Sequence, residues 1–167
     1  MSPTATPKTT VPESLDPRVL PRTLEEGYGP GAWHGPDLRA ALDDVDDEAA
    51  FWRPSPSRRN IAEIVLHHAF CVRGVRGQLG GGGEEPFVLE GADWFELNPS
   101  GPLSWSKVRE TVESEQQALV KSVGSLGSGR GDGSPGANER FDLVLGITCH
   151  AVYHAGQIQL LKRLREG

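Results

Sequence analysis

The chain has 167 residues, enough for one domain, and its apolar (37%) and charged (24%) fractions exclude a fibrous or wholly disordered protein. Its net charge of −6, with 17 basic against 23 acidic residues and no long basic run, argues against nucleic acid as the partner. No stretch approaches the roughly 20 apolar residues of a membrane helix, and the N-terminus lacks a secretory pattern, so we expect a cytoplasmic protein with reduced cysteines.

The N-terminal part of the chain begins with a segment that has little to bury. Residues 1–14 are rich in Thr, Pro and Ser, and we predict a disordered tail followed by a single domain over residues 15–167. A helical pattern runs from about 16 to 26, where Pro21 predicts a short or kinked helix. A second short helix is predicted from Asp37 to about Val45, and the proline-rich stretch after it is a loop.

Three long helical patterns follow. Residues 60–79 begin with Asn60 and Glu63 at capping-box spacing and end at a glycine run. After an irregular connection over 84–103, Ser104 can cap a helix whose apolar residues step by three, four or seven. Those positions are Trp105, Val108, Val112, Leu119, Val123 and Leu126. The last helix is predicted from about 139 to 165, after a polar loop at 124–138. That loop contains Arg130-Gly-Asp132, a tripeptide we attribute to chance.

No segment alternates as strands do, so the pattern predicts an all-α protein: a four-helix bundle with short accessory helices and long loops. Two of its helices carry histidine groups, His67–His68 and His150–His154, while His34 stands alone. His150 and His154 are four residues apart and share one helix face. They belong to a predicted inward-facing seam that is otherwise mostly apolar and consists of Leu143, Ile147, His150, His154, Gln157, Leu161 and Leu164.

Two imidazoles in a core need hydrogen-bond partners or a metal ion. A His-x-x-x-His pair is a good half-site for zinc but needs a third donor from another helix, and such a pair also occurs by chance. Periodicity leaves His67 and His68 open as that donor. Cys71, one turn from His67, can approach a metal, although packing is the favoured interpretation. His34 lies among Gly and Pro, and we interpret it as a loop residue with the rim of the site as the alternative.

Two segments resemble the DinB-like family, also called the YfiT-like family, which is distinct from the DNA polymerase that shares the name. They are Asn60–His67 (NIAEIVLH) and His150–Leu164 (HAVYHAGQIQLLKRL), and the second is the more specific. Trp33-His-Gly-Pro36 and Trp94-Phe95 are similar to one branch of the family. The resemblance covers about residues 15–165.

The resemblance implies a four-helix bundle, often a homodimer, with three metal-binding histidines. The first is His67, because the family histidine directly follows the Ile-x-Glu-hydrophobic stretch, and the others are His150 and His154. His68 falls where relatives usually have an apolar residue. Relatives often carry Asp where this chain has Ala151, which removes a carboxylate from the vicinity of the site.

Three histidines leave a coordination position open, which is typical of catalytic metal sites. Our leading hypothesis is a divalent-metal-dependent enzyme for a small molecule, acting as a hydrolase or as a transferase of a low-molecular-weight thiol. Zinc is the expected metal, with nickel, iron and manganese left open. Gln157 and Tyr153 are the candidate catalytic residues, and neither is an evident general base. The alternative is a non-catalytic, stress-related metal or ligand binder in which the metal is structural.

Overall fold

Six α-helices form the secondary structure of the computed structural model, which describes residues 8–12, 16–80, 86–126 and 135–167. In chain order they are α1 Val19–Tyr28, α2 Leu38–Ala41, α3 Asp47–Phe51, α4 Ile61–Gln78, α5 Trp105–Ser125 and α6 Ala137–Glu166. The four longer helices pack as a bundle: α4 lies against α5 and α6, and α1 lies against α6 and α5. The described residues contain no strand, and the all-α prediction is confirmed.

Helix α4 is buried all round along its N-terminal half. Every residue from Ile61 to Ala69 is buried, and most of them are apolar. A helix that is apolar on all sides is typical of the centre of a fold. Both His67 and His68 are therefore buried, on different sides of the same helix.

Local capping fixes where the helices begin. Asn60 accepts a hydrogen bond from the Glu63 amide at 2.8 Å, and the Glu63 carboxylate accepts one from the Asn60 amide, which completes the predicted capping box. Ser104 caps α5 as predicted, through the Lys107 amide. Asp46 caps α3 in the same way, through the Ala49 amide.

The region of short helices agrees with the prediction at Pro21 and differs from it after Asp37. Pro21 is the third residue of α1, where the backbone nitrogen needs no intrahelical partner, so the helix accommodates it. The helix is short, with 10 residues. The single helix predicted from Asp37 to Val45 is wrong. Asp37 does cap α2, but that helix ends at Ala41, and the separate helix α3 follows after the Asp46 cap.

The buried face of α6 is also rotated relative to the predicted seam. Leu164, predicted to face inward, is 53% exposed, and His150 and Gln157 lie at the edge of the buried face. The buried positions are Val144, Ile147, Thr148, Ala151, His154, Ala155, Ile158 and Leu161. The physical reason is that α6 packs against α1 as well as α4. The buried face of α6 is therefore wider than the predicted seam, and its centre is displaced from that seam by about one residue.

Helices α1 and α6 approach closely at Gly27. A Cβ atom at this position would lie 2.9 Å from the Thr148 carbonyl oxygen and 3.0 Å from the Ala151 Cβ, so only glycine fits. Ala151 is 2% exposed, and its side chain belongs to this helix contact. A larger residue at 151 would have to displace α1.

Segments outside the long helices complete the description. In the predicted tail, Lys8 pairs with Asp142 at 2.9 Å and the Val11 amide donates to Asn138 Oδ1 at 2.7 Å, so residues 8–12 contact the start of α6. Residues 1–7, 13–15, 81–85 and 127–134 lie outside the described residues, and the Arg-Gly-Asp tripeptide falls among them. No described helix is long and apolar enough to cross a membrane.

Candidate metal centre

Three histidine side chains from two helices converge at one point in the bundle. His67 comes from α4, and His150 and His154 come from α6. The Nε2 atom of His150 lies 3.1 Å from Nε2 of His67 and 3.1 Å from Nε2 of His154. The structure therefore brings together the three histidines predicted as metal ligands, and one ring nitrogen of each lies within 4.8 Å of the others.

Hydrogen bonding fixes the proton on the far side of the His67 ring. Its Nδ1 atom lies 2.8 Å from the Asp93 carbonyl oxygen and 3.1 Å from the Asp93 carboxylate Oδ1. Both oxygens are acceptors, so Nδ1 must carry the proton and donate. When the ring is neutral, Nε2 is then unprotonated and faces the cluster, as a metal ligand requires.

A hydrogen bond also fixes the proton of His154. Its Nδ1 donates to Gln157 Oε1 at 2.7 Å, which leaves Nε2 unprotonated and facing the cluster. Gln157 Nε2 in turn donates to the Tyr153 hydroxyl at 3.1 Å. The two candidate catalytic residues thus reach the cluster through the His154 ring, and the Tyr153 side chain is 63% exposed.

The spacing of the nitrogens matches a tetrahedral ion. Two nitrogens bound to tetrahedral zinc at about 2.0–2.1 Å are separated by about 3.3 Å. The distances from His150 Nε2 to Nε2 of His67 and to Nε2 of His154, both 3.1 Å, are close to that value. Converging lone pairs on neutral imidazoles repel unless a proton or cation lies between them, so this donor set fits a divalent metal ion. Three donors leave one tetrahedral position open.

Burial favours the neutral form of two of the cluster histidines, His150 and His154. It lowers the pKa of His150 to about 4, with the neighbouring His154 and His67 adding to the effect and Asp93 opposing it. Burial also lowers the pKa of His154, whereas the hydrogen bond that it donates to Gln157 acts in the opposite direction. Because only a neutral imidazole can bind a metal, these two rings are in the binding form at pH 7.

Trp94 covers one side of the cluster. Its indole stacks on the His67 ring with centroids 3.9 Å apart and an interplanar angle of 7°. The Arg59 guanidinium lies 4.9 Å from the same indole, within cation–π range. The stacked ring fixes the orientation of His67 and removes water from one face of the site.

A buried carboxylate holds the segment that carries Asp93 and Trp94. Glu63 is 0% exposed, and it accepts hydrogen bonds from the Leu97 amide at 3.0 Å and from Arg53 at 2.6 Å. Arg53 also donates to the Leu97 carbonyl oxygen at 2.9 Å. The 93–97 segment is therefore attached to α4 one turn before His67.

Asp93 is the part of the site that the sequence analysis missed. It is exposed, its φ of 67° lies in the left-handed region, and it contacts His67 across 26 residues of sequence. No local pattern predicts such a contact. The only signal was its position directly before Trp94-Phe95, the segment that resembles one branch of the family.

The remaining candidates lie near the cluster or away from it. Cys71 Sγ is 3.8 Å from His67 Nε2, and Cys71 also forms a possible metal-binding group with His67 and Asp93. Burial raises the pKa of its thiol to about 11, so it is protonated at pH 7. His34 is an exposed loop residue whose Nε2 contacts the Glu26 carbonyl oxygen at 2.7 Å, as the loop interpretation predicted.

His68 does not belong to the converging group. It is 0% exposed, and its Nδ1 lies 3.0 Å from Nδ1 of His150, on the opposite side of that ring from His67 and His154. The sequence left His67 and His68 open as the third donor. In the structure His67 faces the cluster, and His68 contacts His150 at Nδ1, the ring nitrogen that points away from the cluster.

A comparison with family profiles agrees with this geometry. The profile described as the DinB superfamily matches residues 32–158, which includes all three cluster histidines. Searches of curated proteins and of solved structures gave no match to this chain. The matched region covers more than half of the sequence and contains most of the bundle. The chain therefore belongs to the DinB superfamily.

Proposed function

We propose that the protein is a divalent-metal-dependent enzyme acting on a small molecule, with His67, His150 and His154 as the metal ligands. One observation carries the proposal: three histidines from two helices each place a ring nitrogen within 4.8 Å of the others. For His67 and His154, the second ring nitrogen donates to an oxygen, which leaves Nε2 free to bind. Zinc is the metal that this spacing and ligand type favour.

A metal ion bound here would act as a Lewis acid at its open position, toward a water molecule or a substrate thiolate. The chain's own residues orient the ligands: Asp93 holds the Nδ1 proton of His67, and Gln157 holds that of His154. Tyr153 lies at the exposed edge, where its oxygen accepts a hydrogen bond from Gln157. Its own hydroxyl proton is then available to donate to a bound substrate.

The reaction proposed is either hydrolysis or transfer of a low-molecular-weight thiol. In the metal-free protein the Cys71 thiol has a pKa of about 11, so it is protonated at pH 7. The thiol reaction that we propose uses a thiol brought by the substrate, whose deprotonation is favoured next to a metal ion.

The test is a substrate panel of ester, amide and thiol-acceptor compounds, run with the metal-free protein and after addition of zinc, nickel, iron or manganese. We expect turnover that requires one of these metals and is lost in His154→Ala. The control is His34→Ala, which changes a histidine outside the cluster. Absence of metal-dependent turnover across the panel, or full turnover in His154→Ala, would contradict the enzyme proposal.

The alternative function is a non-catalytic, stress-related protein in which the metal is structural. Ala151 favours it, because this side chain is methyl-sized and packs against α1, whereas relatives often carry a carboxylate there. A metal bound by His67 and His154 would join α4 to α6. This alternative predicts that chelation lowers the melting temperature and that no compound in the panel is turned over.

We also propose that the protein forms a homodimer in the cytoplasm. Helix α6 exposes large apolar or aromatic side chains at Leu145, Tyr153, Leu160 and Leu164. They are separated by eight, seven and four residues, so they share one side of the helix. The mass of one chain is 18.0 kDa, and light scattering should give twice that mass for the wild-type protein. The Leu160→Glu variant should give the mass of the monomer. A monomeric wild-type protein would contradict this proposal.

A further inference from the structure

The fully buried His68 ring packs against the cluster ligand His150. Their Nδ1 atoms are 3.0 Å apart, and the ring planes are nearly parallel, at 21° with centroids 5.3 Å apart. The other nitrogen of His68, Nε2, is buried and has no hydrogen-bond partner in the described part of the chain. A buried polar atom without a partner is rare and calls for an explanation.

A hydrogen bond between two ring nitrogens needs one proton, and each neutral ring carries one. Two arrangements are consistent with the contact between His68 and His150. In the first, His68 Nδ1 donates, and the proton of His150 sits on Nε2, facing the cluster. In the second, His150 Nδ1 donates to His68, and the proton of His68 sits on its unpartnered Nε2.

Only the second arrangement leaves Nε2 of His150 free for a metal ion. We infer that His68 is a positioning residue: it accepts the Nδ1 proton of His150 and so fixes the tautomer and ring orientation that metal binding requires. The inference rests on the proposed three-histidine metal site. Asp93 and Gln157 perform the same task for His67 and His154, so each ligand has its own acceptor.

The change between the two arrangements conserves protons. The His150 proton moves from Nε2 to Nδ1, and the His68 proton moves from Nδ1 to Nε2, so the pair holds two protons before and after. The unpartnered Nε2 of His68 is thus the place where the second proton goes. His68 coordinates nothing itself.

The first test compares zinc affinities by competition with a chromogenic chelator. His68→Leu removes the acceptor and keeps apolar volume, whereas His68→Asn can return an acceptor oxygen near the Nδ1 position. We expect one zinc per chain in each variant, with the dissociation constant raised by about 10- to 100-fold in His68→Leu and partly restored in His68→Asn. His34→Leu, in the exposed loop, is the control and should match wild type.

The second test uses wild-type protein, so it does not depend on how a variant folds. In the zinc-loaded protein labelled with ¹⁵N-histidine, we expect NMR to show His68 protonated at Nε2 and His150 at Nδ1. An unchanged dissociation constant in folded His68→Leu, or His68 protonated at Nδ1 with zinc bound, would overturn the inference and leave the metal site intact. A wild-type protein that binds no zinc would overturn both.

Discussion

The buried carboxylate of Glu63 connects the fold to the metal centre, and its removal is a quantitative test. Glu63→Ala would remove the acceptor for Arg53, at 2.6 and 3.0 Å, and for the Leu97 amide, at 3.0 Å. It would also break the capping box at the start of α4. Leu97 follows the segment that places Asp93 and Trp94 against His67.

The expected loss follows from the burial of the two partners. Removing one member of a buried ion pair costs roughly 3–5 kcal/mol. Glu63 has a side-chain exposure of 0%, but Arg53 has one of 27%, which allows water to compensate in part. We therefore take the lower end, about 3 kcal/mol, which corresponds to a fall in melting temperature of about 6–12 °C for a chain of this size.

Thermal unfolding followed by circular dichroism would measure this loss. The matched control is Glu110→Ala in α5, where Glu110 pairs with Lys107 at 2.9 Å but both side chains are well exposed, at 68% and 45%. Exposed pairs contribute at most about 1 kcal/mol, so the control should change little. If Glu63→Ala unfolds within about 2 °C of the control, the proposed anchoring of the 93–97 segment is wrong.

Two further predictions concern the histidines. Gln157→Leu removes the acceptor for His154 Nδ1, so the zinc affinity measured by chelator competition should fall by about 10- to 100-fold. One zinc ion should still bind at saturation. An unchanged zinc affinity would refute the role of Gln157. The metal-free protein should lose stability as the pH falls from 6.5 toward about 4, because burial lowers the pKa values of His150 and His154 and the unfolded chain then binds more protons. Urea unfolding at several pH values checks this; His150→Ala should reduce the slope, and a flat profile would contradict it.

Several features of the fold could be predicted because they depend on neighbours in the sequence. The capping box at Asn60 and the cap at Ser104 involve residues three apart, and both are confirmed. The long helices could be predicted from the three- and four-residue spacing of their apolar residues. The end of α2 was placed too late, near Val45 instead of Ala41, and α3 was not predicted, because helices of four and five residues show too little periodicity to locate.

Features that depend on packing around a whole helix could not be predicted in the same way. The apolar pattern does not choose between His67 and His68, because α4 is buried on all sides at that point. The buried face of α6 is set by α1 as well as α4, which is why Leu164 was wrongly predicted to face inward. Asp93 reaches His67 through a loop, and a loop has no period to detect.

The direct test of the metal centre is elemental analysis of protein purified without an affinity tag or chelator, repeated on alanine variants of His67, His68, His150 and His154. We expect about one divalent metal ion per chain in wild type, a sharp loss in the variants of His67, His150 and His154, and retained metal in His68→Ala under metal-saturating conditions. Metal retained in His67→Ala but lost in His68→Ala, or no metal in the wild-type protein, would contradict the proposed three-histidine site.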